Sequence, residues 1–458
     1  MPLLAARGHG IDVFVDGTRV RSPLATDEPP STGVVRVVNA HDFVWRQAKH
    51  HYDLAVYQVG NSHLHKFIWP YLYRYPGLAV LHDGRVHHAR AEALLSAGRS
   101  NDYVAEFSWS HPAAGPGGAN FGLLRLDGPF YYQWPMLRGI VSTSRVVAAH
   151  SPGVVSELRA DWPDEAIEHI ALGEGRAAMD AARARTAFRT AHAIPVNAPV
   201  FGVFGGLTAE KRVLEILAAF QSIRAWIPDA RLLLAGAADP ILGLEDRITA
   251  LEIADATIRL SSASDDEFDE AIAATDVVLN LRWPTALETS GPWVRSLALA
   301  RATVIIDLPH QSHLPALDPR TWQRVAPSDD LAPGAEDRAI TVAIDLRDLN
   351  HSLRAAMRRL GADGDLRNRI GAAARRWWEH EHTVDRMIED YERAMARAIE
   401  VPAPLPSPDW PPHIAARPEE FLERMLSRDV RSDDVVSERL RRFASDENVR
   451  ERSTITAR

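Results

Sequence analysis

Two successive runs of short apolar strands alternating with helical segments constrain this chain more than any other feature. In the first run, Ile11 to Val15, Val34 to Val37, Leu54 to Val59, Leu78 to His82 and Val146 to Ala149 read as strands. They are rich in Val, Leu and Ile, and the connections between them are too long for hairpins. That pattern predicts a parallel sheet covered on both faces. The second run follows the Ala- and Arg-rich segment Arg176 to Ala193, with strands at Pro199 to Phe204, Arg231 to Ala235, Ile258 to Leu260, Asp276 to Leu281 and Thr303 to Ile306. Val213, Ile216, Leu217 and Phe220 mark one helix face. Ser264 and Glu267 have capping-box spacing and open a helix through Ala274. The expected fold is α/β, two doubly wound Rossmann-like domains facing each other.

The expected boundaries are residues 1–175 and 176–400 for the two domains and 401–458 for a tail. The long helical stretch Leu353 to Ala398 is expected to reach back over the first domain. The tail opens with the proline-rich linker Val401 to Pro412, followed by two charged amphipathic helices, Glu419 to Leu426 and Val435 to Phe443. Asn101 to Gly128, rich in Gly, Pro and aromatic residues, is expected to be an irregular surface excursion. The aromatic run Tyr131 to Leu137 is expected to pack into the core, with covering a cleft or touching a lipid surface as the alternatives.

A chain of 458 residues exceeds one compact core. Its net charge of −9 argues against a partner bound mainly through nucleic-acid phosphates. With no cysteine, neither disulfides nor thiolate metal sites can form. No apolar run is long enough to span a bilayer, and the start lacks a signal-peptide pattern, so the expected location is cytoplasmic. The basic residues are nearly all arginine. The lysines are Lys49, Lys66 and Lys211, and a lysine retained in such a background suggests a compact point charge.

Two segments could carry chemistry. Asn280 to Leu299 reads as a strand end, a polar loop and a helix with Val294, Leu297 and Ala298 on one face. Ser290 is placed to cap that helix and Pro292 sits in its first turn. A strand emptying into a helix N-terminus presents amide N–H groups and a partial positive charge, which suit a phosphate. In VFGVFGGLTAEK a strand is followed by Gly205, Gly206 and Lys211 just before a helix, a second anion-binding arrangement. Both would lie at the carboxyl ends of parallel strands, where open α/β sheets bind ligands.

Together with RLLLAGA, which includes Gly236, these segments resemble the donor domain of family-four, GT-B-fold, retaining glycosyltransferases of bacterial type. YDLAVYQVGNSHLHKFIWPYLYRYPGLAVLHD is similar to their N-terminal acceptor half, and the resemblance runs from Ala5 to Ala398. It implies that Gly205, Gly206, Lys211 and Gly236 hold the donor diphosphate, with Thr285, Thr289, Ser290 and Gly291 adding donor contacts. It implies that Glu288 and His82 act on the donor sugar, and that Asn61, His65 and Asp83 face the acceptor. Such enzymes use a nucleotide diphosphate sugar as co-substrate, with no bound metal or other cofactor. Their acceptors are glycans or lipid-linked sugars in cell-envelope and polysaccharide synthesis, which would place the protein at the inner membrane periphery without a transmembrane segment. His82 with His87 and His88 matches no metal-ligand spacing.

The chain departs from the family pattern at several positions. Ser296 stands where a second glutamate usually grips the nucleotide ribose, and Gly206 where an arginine is frequent. Arg301 and Thr303 replace a glycine and a proline after the helix. The opening MPLLAARGHGIDVFVDG reads as the end of the first helix followed by the second strand. Either a central first strand is expected upstream or this domain has rearranged, the former being favoured. The expected activity is sugar transfer with retention of configuration. The alternative is a catalytically degenerate GT-B module that serves as a partner-binding scaffold. A sugar-nucleotide epimerase is a third reading, disfavoured because its catalytic acid pair is not evident.

Overall fold

A computed structural model describes residues 1–17, 31–124, 128–175, 179–325 and 338–415. The chain divides into two compact units, Met1–Pro404 and Leu405–Arg458. Among the described residues the first unit holds three sheets. β1 (Ile11–Val15) and β2 (Val35–Asn39) form a parallel pair of their own. β3 (Val56–Val59), β4 (Leu78–Leu81), β5 (Val146–Ala149) and β6 (Ile167–His169) form a parallel sheet in sequential order. No strand joins β1 to β3 among the described residues. The β1 pair is tied down instead by the Asp12 carboxylate, which accepts from Arg36 at 2.7 Å, Arg46 at 3.3 Å and Tyr52 at 2.5 Å.

The larger sheet contains β7 (Val200–Phe204), β8 (Arg231–Ala235), β9 (Thr257–Leu260), β10 (Val277–Leu279), β11 (Ala302–Ile306), β12 (Ala316–Leu317), β13 (Arg324–Val325) and β14 (Thr341–Ile344). Its order is β9-β8-β7-β10-β11-β14-β12-β13, parallel except for the β12–β13 pairing. Period-two alternation gives each strand two apolar faces. Phe201 and Val203 pack with Ile216, Phe220, Leu353 and Met357 on one side. Val200 and Phe204 pack with Phe188 and Ile272 on the other. With helices on both faces, the half is doubly wound. β7 has β8 on one side and β10 on the other, so the order reverses between β7 and β10. A crevice opens at such a switch point, outside the carboxyl ends of the strands.

Asn101 to Gly128 is not irregular, contrary to the expectation. It contains the helices Ser100–Ser110 and Gly115–Leu123, and Tyr103 and Phe107 are fully buried. Glycine-rich composition suggested a loop, but close packing needs small residues here: a Cβ on Gly122 would stand 2.0 Å from the Tyr103 hydroxyl. Packing overrode local propensity. In the run Tyr131 to Leu137, the side chains of Tyr131, Met136 and Leu137 are buried.

The stretch expected to be one helical segment is three helices, Leu349–Ala362, Gly364–Glu381 and Val384–Glu400. Asp363 and Thr383 cap the second and third. Ile388, Tyr391, Ala394 and Ala398 of the last helix pack with Leu78, Val80, Val146 and Ala148 of the first sheet, beside Leu4. The Tyr391 hydroxyl lies 3.2 Å from the Gln58 side-chain oxygen. In the second unit, Pro412–Ala415 forms a short helix. The helices expected at Glu419 to Leu426 and Val435 to Phe443 lie outside the described residues. Among the described residues no helix is long and apolar enough to cross a membrane.

Asp390 fastens the helix Val384–Glu400 to the segment that follows β6. Its buried carboxylate accepts from the Ala171 amide at 2.9 Å and pairs with Arg393 at 2.7 Å. Asp390→Ala leaves that amide without its acceptor and should cost about 2 kcal/mol in urea unfolding. Asp390→Asn, which keeps an acceptor oxygen, should recover most of the loss.

Candidate functional site

Gly205 ends β7 at a φ of 81°, a conformation that favours glycine. Behind it the chain makes one turn, Ala209–Lys211, and enters the helix Val213–Arg224. The Lys211 ammonium is folded back under the turn, where it donates to the Phe204 carbonyl oxygen, and the residue is only 6% exposed. A Cβ on Gly205 would stand 2.8 Å from Lys211 Nζ, so the ammonium lies directly below the turn. Burial, and secondarily the Arg282 charge, lower the Lys211 pKa to about 7. Gly236, at the end of β8, has a φ of 140°, and a Cβ there would stand 2.3 Å from the Gly205 carbonyl oxygen. Gly206 has open space around it.

The loop after β10 carries the other wall. Ser290 caps the helix Gly291–Ala298: its hydroxyl accepts from the Trp293 amide at 3.4 Å and donates to Asn280 Oδ1 at 2.9 Å. That hydroxyl is occupied within the protein, so what Ser290 and Gly291 present to a ligand is the helix start itself. Glu288 accepts from the Thr285 hydroxyl at 2.8 Å and is ion-paired with Arg282. The Trp283 amide donates to the Glu210 carbonyl oxygen at 2.7 Å, which sets Arg282 beside the turn that carries Lys211.

The first half meets these elements at the ends of β4 and β5. A Cβ on Gly84 would stand 3.2 Å from Leu287 Cβ, and one on Gly153 would stand 2.3 Å from the His310 carbonyl oxygen. Glycine permits this close approach of the two halves. Asp83 is bonded by the Asn61 amide at 2.6 Å, and burial together with the Glu288 charge raises its pKa to about 7. The Tyr132 phenol is pushed up to about 12 by burial and by Glu210, to which it is hydrogen-bonded. His82 follows β4; its Nε2 lies 2.8 Å from the Gln58 amide oxygen and therefore carries the proton, leaving a lone pair on Nδ1. Burial, then the neighbouring His150 and His65, lower its pKa to about 4, so the ring is neutral.

A pocket between the halves is lined by Arg282, Thr285, Glu288, Thr289 and Ser290 on one side and by His150, Ser151 and Pro152 on the other. His310, His313 and His382 complete its wall. Burial lowers the pKa of all three, to about 4 for His310 and His382. These rings are neutral hydrogen-bonding groups, suited to hydroxyls.

Of the residues read from sequence, Thr285, Glu288, Thr289 and Ser290 line this pocket. Lys211 and Asp83 lie outside its lining but within charge range of Glu288, and a Cβ on Gly205 would stand 2.8 Å from Lys211 Nζ and 3.6 Å from Pro292 Cγ. His82 reaches the pocket through the His150 ring, 4.9 Å away between centroids. Asn61 and His65 do not line the pocket. The Asn61 side chain accepts from the Ala89 amide at 3.0 Å, and His65 Nδ1 is 2.9 Å from the Gln58 carbonyl oxygen, so both hold loops in place. His87 is bonded to the buried Tyr103 hydroxyl at 2.8 Å among aromatic rings. Arg282 lies within the Asn280 to Leu299 stretch but has no role in the motif, whereas His150, His310 and His382 are brought to the crevice only by the fold. Ser296 is fully buried, with its hydroxyl bonded to the Pro292 carbonyl at 2.7 Å, and faces no ligand space.

No family model matches the chain, and no curated protein does. Solved structures share its fold. A sucrose-phosphate synthase from Thermosynechococcus elongatus superposes with a TM-score of 0.58 at 13% identity, over 87% of this chain and 91% of that one. WaaG, a glycosyltransferase involved in lipopolysaccharide biosynthesis, superposes with a TM-score of 0.53 at 13% identity, over 86% of this chain and 92% of that one.

The raised pKa of Asp83 predicts a pH-dependent stability. Between about pH 4 and pH 7 the folded chain holds a proton that an unfolded carboxylate has released, so stability falls as pH rises through this window. The penalty is complete above pH 7 and absent below pH 4. Asp83→Asn should therefore raise the melting temperature at pH 8 and leave it unchanged at pH 4.

Proposed function

Taking as premise that the chain has the GT-B fold of two facing Rossmann-like halves, we propose that it is a glycosyltransferase. It moves a sugar from a nucleotide diphosphate sugar to a glycan or lipid-linked acceptor, with retention of configuration and without a bound metal. The observation that carries this reading is Lys211, a cation buried under the Gly205 turn at the switch point of the larger sheet. A Cβ on Gly205 would reach both Lys211 Nζ at 2.8 Å and Pro292 Cγ, in the first turn of the Ser290-capped helix, at 3.6 Å. A buried ammonium is costly unless an anion joins it, and the protein supplies only a carbonyl oxygen as its direct partner. A diphosphate between Lys211 and the helix N-terminus would meet a point charge on one side and amide groups on the other.

In the transfer, negative charge accumulates on the departing diphosphate. Lys211 and the helix start would stabilise it there, in a site partly closed to water. The arriving anion favours the protonated lysine, so donor binding near pH 8 would draw a proton onto Nζ. Glu288 and the neutral His150 would orient sugar hydroxyls, contributing through position more than proton transfer, with His82 packed behind the His150 ring. Ser296 is turned into the helix, so the ribose would be held by other groups or left loosely held. That feature favours the second reading, a scaffold that binds no donor. The protein would act at the cytoplasmic side, on acceptors of cell-envelope or polysaccharide synthesis.

A thermal-shift panel of UDP, GDP and ADP separates the readings. At a hundredfold excess over its dissociation constant, a bound nucleotide stabilises the fold by about 2.7 kcal/mol, which is several degrees of melting temperature. Stabilisation by one of them is expected, and no response to any supports the scaffold. Lys211→Ala should remove the shift and lower turnover with the matching sugar nucleotide by about 100-fold or more, while remaining folded by circular dichroism.

A further inference from the structure

The diphosphate subsite described above is short of positive charge. A diphosphate carries at least two negative charges, whereas Lys211 is a single buried ammonium whose burial opposes its charged form. The turn above it, Gly205 to Glu210, carries no basic side chain, and Arg212, which follows Lys211, is paired with Glu215 at 3.2 Å. A second cation has to come from another element. Arg282 leaves the end of β10 on the neighbouring side of the crevice, and the Trp283–Glu210 backbone bond locks that departure against the Lys211 turn. Its side chain is 32% exposed, lines the same pocket as Thr289 and Ser290, and lies close enough to Lys211 to act on its charge.

The guanidinium is held by Glu288, whose second oxygen accepts from Thr285. Glu288 also stands within charge range of Asp83. A carboxylate and a phosphate present similar oxygen pairs to a guanidinium, and a phosphate carries the greater charge. We infer that Arg282 is the second cation of the diphosphate subsite, and that Glu288 is its resting partner, exchanged for a phosphate oxygen when the donor arrives. The exchange releases Glu288 toward the sugar. The inference rests on the donor reading proposed above and adds the residue that completes its anion site.

Inorganic pyrophosphate tests it without reference to the base or the sugar. Binding is measured by calorimetry at several salt concentrations for the full-length protein and for Arg282→Ala, Arg282→Lys and Glu288→Gln, each checked for an unchanged melting temperature. Arg282→Ala should weaken pyrophosphate at least tenfold and flatten the salt dependence, with Arg282→Lys in between. Glu288→Gln should bind pyrophosphate more tightly than the wild type, because the competing carboxylate charge is gone. A merely structural role for the pair would not produce that gain. Unchanged binding by Arg282→Ala, or weaker binding by Glu288→Gln, overturns the inference while leaving the donor reading in place. A wild-type protein that binds neither pyrophosphate nor any nucleoside diphosphate overturns both.

Discussion

The site depends on one interaction, the burial of the Lys211 ammonium under the Gly205 turn. It could form only because β7 ends at the point where the strand order of the larger sheet reverses. There the chain can turn sharply, drop a lysine beneath its own strand and start a helix. Each neighbouring feature follows from accommodating that charge. Gly205 and Gly236 carry no side chain that would fill the space. The carbonyl of Phe204 satisfies one N–H of the ammonium. Arg282 and Glu288, opposite in sign, sit beside each other on the adjoining loop.

The crevice is electrostatically poised. Lys211 is driven toward its neutral form and Asp83 toward its protonated form, both to about pH 7. Both shifts come first from desolvation, and both impose a cost on the folded chain at neutral pH. The site is thus less stable than a surface of the same residues would be. That is the usual condition of a binding cleft built to receive charge, in which the ligand completes the set of partners.

Much of the architecture was legible in sequence because it rests on local, periodic signals. The two α/β runs, the Ser264–Glu267 capping box and the Ser290 cap all appear where hydrophobic spacing and polar caps put them. The Asn101 to Gly128 segment departs from its local composition because Gly118 and Gly122 serve close packing on Phe107 and Tyr103, a property of tertiary contact, while Gly115 and Gly128 take positive φ at helix boundaries. The site divides along the same line. Lys211, Glu288 and Ser290 stand in short motifs and could be named from their neighbours in the chain. Arg282 pairs with Glu288 inside the same loop but matches no motif position, and His150 and His382 reach the crevice only because the fold brings distant segments together. Ser290 shows the remaining gap: its position was correct, yet its hydroxyl is occupied by Trp293 and Asn280 rather than free for a ligand.

The account stands on a diphosphate lying between the Gly205 turn and the start of the Gly291 helix. A crystal structure of the protein with the nucleoside diphosphate that stabilises it measures this directly. The account predicts phosphate oxygens within hydrogen-bond distance of Lys211 Nζ and of the Ser290 or Gly291 amide. A nucleotide bound elsewhere, or one in this crevice with its phosphates turned away from Lys211, would contradict it.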